Sequence, residues 1–158
     1  MPDYCLKATV SDTTPDAVFA AIADFGRYPA LVPDVIAALT VRIEDGQRHS
    51  DWAVRFHGGT LKWGERDIVD AATYRIEFQQ TTGDFAEFAG SWQIDAVPDG
   101  YVRVSLAASF DLGMPDVAEI LDPIALDAFD STMRTLLTTL VGTNLQFEDT
   151  AAVSGGKA

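Results

Sequence analysis

Two acids separated by one residue, Glu65 and Asp67, lie in the stretch Leu61-Lys62-Trp63-Gly64-Glu65-Arg66-Asp67-Ile68-Val69, which alternates as a β-strand does. Alternation places Leu61, Trp63, Glu65, Asp67 and Val69 on one face and Lys62, Gly64, Arg66 and Ile68 on the other. If the apolar face turns inward, both carboxyls go with it, and an ionised carboxylate buried without a partner costs several kcal/mol. Desolvation raises a carboxyl's pKa in an apolar cavity, and a second carboxyl nearby raises one of the two further. Such a pair can hold one proton and one negative charge near neutral pH, as general acid and base catalysis requires. Removing a proton alpha to a carbonyl and then protonating a departing hydroxyl would together give aldol cyclisation with dehydration. The structural alternative puts both acids at a cavity mouth or pairs them with Arg66 or Arg55, and a register slip of one residue would turn Arg66 inward instead.

Other chemistry is thinly represented. Cys5 is the single cysteine, so neither an intramolecular disulfide nor a thiol pair is available. His57, before Gly58-Gly59 at an expected hairpin tip, and His49 read as solvated side chains. There is no His/Cys/Asp/Glu spacing typical of a metal site, no glycine-rich phosphate loop and no G-x-S-x-G elbow, so neither a metal nor a cofactor is expected. Eleven basic residues against 24 acidic ones give a net charge of -13 and argue against nucleic acid or an anionic membrane surface as a partner. No apolar run approaches the roughly 20 residues needed to span a bilayer, and Met1-Pro2-Asp3 lacks the basic start of a signal peptide, so a cytoplasmic protein is expected.

The elements that must position the two acids follow from periodicity. Tyr4 to Val10 alternates as a first strand. Ser11 to Pro15 carries cap residues with proline at the first helical position, which predicts a helix from Pro15 to Ala23 and a short second one over Arg27 to Pro33. Six strands are expected over Ile36–Glu44, Arg48–Phe56, Thr60–Asp70, Tyr74–Gln80, Phe85–Ala96 and Tyr101–Asp111, joined by turns short enough to link only antiparallel neighbours. A short helical turn over Asp116 to Leu121 should break at Asp122-Pro123, with a long helix from there to Leu140. Within it Asp127, Ser131 and Thr135 fall along one side and would offer polar contacts if that side faced a cavity. The expected organisation is one domain over residues 1–144 and a flexible tail over 145–158.

This order of elements, with Pro15-Asp16-Ala17-Val18-Phe19, Tyr28-Pro29, Gly90-Ser91-Trp92 and Phe110-Asp111-Leu112-Gly113, resembles the helix-grip fold of the Bet v 1, START and polyketide cyclase superfamily. It is most similar to polyketide aromatase/cyclases and the related coenzyme Q-binding proteins. The resemblance implies an α+β fold, a seven-stranded antiparallel sheet curved around a long C-terminal helix with an internal cavity. Aromatase/cyclases resemble the opening strand in a tryptophan that falls on Trp63, but carry a small hydroxyl residue two positions on and an arginine four positions on, where this chain has Glu65 and Asp67.

Turning each strand's apolar face inward gives a strongly aromatic wall, suited to a flat, polycyclic ligand or simply to filling a core. Its expected substrate-binding residues are Trp52, Phe56, Trp63, Tyr74, Phe78, Phe88 and Trp92, joined by Tyr28 from the short helix. The leading expectation is a cofactor-free enzyme of the polyketide cyclase/aromatase kind, with Glu65 and Asp67 as catalytic acid and base, acting on an apolar, oxygenated substrate that a carrier protein could present. The alternative is a lipid or quinone carrier without catalysis.

Overall fold

The computed structural model describes residues 3–56, 59–142 and 144–148. Strand β1 (Asp3–Val10) leads into helix α1 (Pro15–Ala23), whose start is set locally: the Thr14 hydroxyl accepts a hydrogen bond from the Ala17 amide at 3.2 Å, Pro15 occupies the first turn, and Asp16 faces the positive helix end. Val18, Phe19 and Ile22 form its buried side. A 3₁₀ turn over Phe25–Arg27 runs directly into the four-residue helix α2 (Tyr28–Leu31).

Six strands then meander antiparallel: β2 (Ile36–Glu44), β3 (Gln47–Phe56), β4 (Gly59–Asp70), β5 (Arg75–Gly83), β6 (Glu87–Val97) and β7 (Tyr101–Asp111). Helix α3 (Ala118–Val141) crosses the concave side, and a short strand β8 (Leu145–Phe147) closes the chain's described part. The sheet order is β2-β3-β4-β5-β6-β7-β1-β8. One face of this sheet and the Ala125, Leu126, Leu136 and Leu137 side of α3 enclose the core. The result is the expected α+β helix-grip fold, with eight strands rather than seven.

The eighth strand was expected as tail. Leu145–Phe147 pairs with Ala8–Val10 of β1, held further by the Glu148 amide donating to the Lys7 carbonyl at 2.9 Å. Three alternating residues are too few for a period to register, and Phe147 gains its place through a tertiary contact, the Arg134 guanidinium lying 4.7 Å above its ring. The rest of the expected tail, 149–158, lies outside the described residues, as does His57.

Helix α3 also starts earlier than expected and does not break at Pro123. A proline there removes the amide that would bond the Glu119 carbonyl, and Glu119 sits on an exposed turn, beside Ile120 at 67% exposure, where water can take its place. The helix is fastened to the sheet through Tyr4, whose hydroxyl donates to Asp130 Oδ1 at 2.7 Å while Arg134 Nε donates to Asp130 Oδ2 at 2.9 Å. No helix of the described residues is long and apolar enough to cross a membrane.

Candidate active site

Strands β3 and β4 carry the site because their register brings inward-facing residues opposite each other: Trp52 pairs with Trp63, Ser50 with Glu65 and Arg48 with Asp67. The two indoles lie parallel, ring centres 5.6 Å apart and planes 6° from coplanar. Phe85 and Phe88 meet Trp63 edge-on at 5.5 and 5.4 Å. Across from this aromatic wall, α3 contributes Ala128, Phe129, Thr132 and Met133. Between them lies a narrow cavity in which the centre of a water-sized atom has about 80 Å³ of room.

Glu65 reaches the cavity wall and Asp67 does not. Both residues are 3% exposed, so the strand carries them inward together, but Asp67 sits behind its neighbour. There it accepts a hydrogen bond from the Ser50 hydroxyl at 2.6 Å and lies 3.5 Å from Arg48 Nε. Ser50, wholly buried, in turn accepts the Trp52 indole N–H at 2.9 Å. Arg48 bridges outward: it donates to the Ala23 carbonyl at 2.7 Å and stacks 4.0 Å over the Phe25 ring, pinning the end of α1 to the sheet. Glu65 Oε1 accepts the Trp63 indole N–H at 2.8 Å.

The electrostatics of the pair are asymmetric. Burial holds the Glu65 carboxyl well above the usual carboxylate range, and contact with Asp67 pushes it further up; the Trp63 N–H and the Arg48 charge pull the other way without prevailing. Burial thus favours the protonated form of Glu65, while the Ser50 hydroxyl and the Arg48 guanidinium both face Asp67 Oδ2. Asp67 Oδ1 has no donor from any other described side chain or backbone group, which leaves it free to accept the Glu65 proton.

Of the residues singled out by sequence, Glu65, Trp63, Trp52, Tyr28, Phe78, Phe88 and Trp92 are brought together around one cavity. Tyr28 lies on the wall, but its hydroxyl is already engaged, donating to the Ile22 carbonyl. Tyr74 is not part of the wall. Alternation counted back from Ile76 lands on it, yet the chain there is still turning, with Tyr74 in a left-handed conformation at φ 55°. Its hydroxyl donates to Asp16 at 2.6 Å and its ring packs on Phe19. Phe56 is described only as the last residue of β3. Asp127, Ser131 and Thr135 point to solvent, and Thr132 is the hydroxyl that α3 turns inward. Sequence reasoning missed Ser50 and Arg48, although both alternate with Trp52 on β3 and that period was the available signal.

A family model described as polyketide cyclase / dehydrase and lipid transport matches residues 12–138. The granaticin polyketide synthase bifunctional cyclase/dehydratase of Streptomyces violaceoruber is 26% identical over 109 residues, 67% of this chain and 33% of that protein. The chain thus spans about a third of that relative's length. The ribosome association toxin RatA of Pseudomonas aeruginosa is 24% identical over 112 residues, 71% of this chain and 77% of the toxin. Among solved structures, the Zhui aromatase/cyclase from Streptomyces sp. R1128 superposes with a TM-score of 0.71 at 18% identity, covering 85% of this chain and 90% of that one. A START superfamily protein from Mycobacterium smegmatis gives a TM-score of 0.72 at 15% identity, covering 89% and 97%. At such identities these two likenesses are likenesses of fold.

Proposed function

The chain belongs to the polyketide cyclase / dehydrase and lipid transport family, and on that premise we propose that it binds an apolar, oxygenated, ring-forming molecule in the aromatic cavity and promotes its cyclisation or dehydration. The observation that carries this reading is Glu65, a carboxyl that burial pushes toward its protonated form, as the only carboxyl among the described residues of a mostly aromatic and aliphatic wall, with the Asp67 carboxyl directly behind it. The stacked Trp52 and Trp63 rings lie flat beside it and would hold a planar, partly unsaturated substrate by area burial. Glu65 exchanges protons with the substrate, and Asp67, which does not reach the cavity, sets the charge that makes this exchange possible. Both similarity to a cyclase/dehydratase and fold likeness to an aromatase/cyclase support the reaction class.

The test is ring closure of a synthetic poly-β-carbonyl thioester, followed by chromatography. Glu65→Gln is expected to slow it by about 100-fold or more, the usual worth of a positioned acid or base, while leaving binding of an aromatic ligand intact. Product formation at the wild-type rate would sink the enzyme reading. A carrier function is favoured by one feature, the near absence of polar groups from the wall beyond Glu65, Thr132 and Arg55 among the described residues. In that case lipid or quinone copurifies, and both Glu65→Gln and Asp67→Asn leave its retention unchanged.

A further inference from the structure

We propose that the cavity selects ligands that offer a hydrogen-bond donor, a hydroxyl or an activated C–H, to Glu65, and that the proton so released passes through Glu65 to Asp67. This rests on the cavity reading above and names the substrate's chemistry at the point where it meets the wall.

The argument is a count of protons. Of the wall groups that could donate to a ligand, the Trp52 N–H is engaged by Ser50, the Trp63 N–H by Glu65 and the Tyr28 hydroxyl by the Ile22 carbonyl, which leaves Thr132 on α3 and Arg55 on β3 as the wall's other donors among the described residues. Glu65 itself has one proton and two oxygens. Oε1 accepts from Trp63, and Asp67 lies within hydrogen-bonding range with its Oδ1 otherwise unpartnered. Leaving a buried carboxylate oxygen without a donor costs more than a satisfied one, so the Glu65 proton points at Asp67. What Glu65 itself offers a ligand is a set of lone pairs. A ligand carbonyl placed there meets another acceptor; a hydroxyl meets a partner.

The same geometry fixes the direction of proton flow. As the ligand's O–H or C–H bond breaks, an O–H bond forms at Glu65 Oε1, the Oε2–H bond breaks, and an O–H bond forms at Asp67 Oδ1. The ligand becomes an alkoxide or enolate, Asp67 becomes neutral, and Glu65 ends as it began, a neutral acid with its proton moved to the other oxygen. The negative charge has moved from Asp67 to the ligand, and the reverse transfer returns the proton. Asp67 is thus a positioning residue that stores the proton without touching the ligand.

Calorimetric titration with 2-naphthol and 2-naphthaldehyde, two rings of the same shape that differ in donating and accepting, tests this at neutral pH. The wild-type protein should bind the naphthol about tenfold more tightly, the worth of one hydrogen bond. Glu65→Gln should keep that preference, because its amide N–H donates to Asp67 and its carbonyl faces the ligand. Asp67→Asn should abolish it, since an asparagine can donate to Glu65 and release the Glu65 proton toward the cavity. Equal or tighter binding of the aldehyde by the wild type, or a preference unchanged in Asp67→Asn, would overturn the inference while leaving the cavity reading in place. If neither naphthalene binds, both fall.

Discussion

Glu65 holds its proton at a cost that depends on pH. Its folded pKa lies well above the ordinary 4.5, with burial as the first cause, so between those two values the folded chain binds more protons than the unfolded one. The stability tied to this residue is therefore complete below pH 4.5 and is lost as pH rises through the raised folded value. A glutamine of the same shape titrates in neither state. Subtracting wild-type stability from that of Glu65→Gln, by chemical denaturation at successive pH values, should give a difference that grows in the variant's favour from pH 4.5 upward, at no more than about 1.4 kcal/mol per unit. A difference flat from pH 4.5 to 8 would mean that Glu65 is ionised in the folded protein. The depth of this site was only partly legible. Strand alternation gives the shared face of Glu65 and Asp67, but one carboxyl stands in front of the other because Ser50 and Arg48, from the neighbouring strand, draw Asp67 back. Cross-strand neighbours of this kind are set by register, which a single strand's pattern does not contain.

At the scale of elements, the site depends on how closely β5 approaches β4. Gly83 is paired with Trp63, and a Cβ built on it would fall 2.4 Å from Trp63 Cβ and 2.5 Å from its Cα. Its φ of 144° is one that other residues rarely adopt. The space that lets the Trp63 ring lie flat on Trp52 therefore exists only because residue 83 has no side chain. Gly83→Ala should destabilise the fold by about 2 kcal/mol or more through overpacking and strain. It should also weaken the far-ultraviolet exciton signal of the Trp52–Trp63 stack; a variant with an unaltered signal would show that the strands part elsewhere. Gly90 has a similar role between β6 and β7, its missing Cβ leaving room for the Phe78 ring and the Ala107 carbonyl. The elements themselves were readable because nearly every boundary coincides with a local signal: the cap of α1 at Thr14, the turns between strands, Gly142 after α3. Where the reading failed, at Pro123 and at β8, a neighbour's surroundings outweighed the local signal, solvent at Glu119 in one case and Arg134 in the other.

For the molecule as a whole, the gripping of α3 by the sheet and the cavity beneath it were expected from the element order and the resemblance it carries, whereas aromatic faces turned inward predict a filled core equally well. The space survives because α3 presents Ala125 and Ala128 where larger residues would close it. Charge is the other global property, and it yields a test of its own. With 24 acidic residues against 11 basic ones, the chain has a formal net charge of -13, and nearly all of its acids are at least partly exposed. Opposing them are surface ion pairs such as Arg75–Glu77 and Arg103–Glu148, half-exposed and worth about 0–1 kcal/mol each. Salt screens both, but the repulsion involves every acid and extends over the roughly 10 Å Debye length of 0.1 M salt, whereas each ion pair is a single short contact. Repulsion should win. Raising sodium chloride from about 10 mM to about 500 mM is expected to raise the midpoint of thermal unfolding by several degrees, an estimate for a domain in which about 1 kcal/mol shifts it by 2–8 °C. The Arg48–Asp67 pair, with the Asp67 side chain at 0% exposure, lies out of reach of that screening, so the gain should be the same in Asp67→Asn as in the wild type. A midpoint that falls with salt would place the surface pairs, rather than the excess of acids, in control of stability.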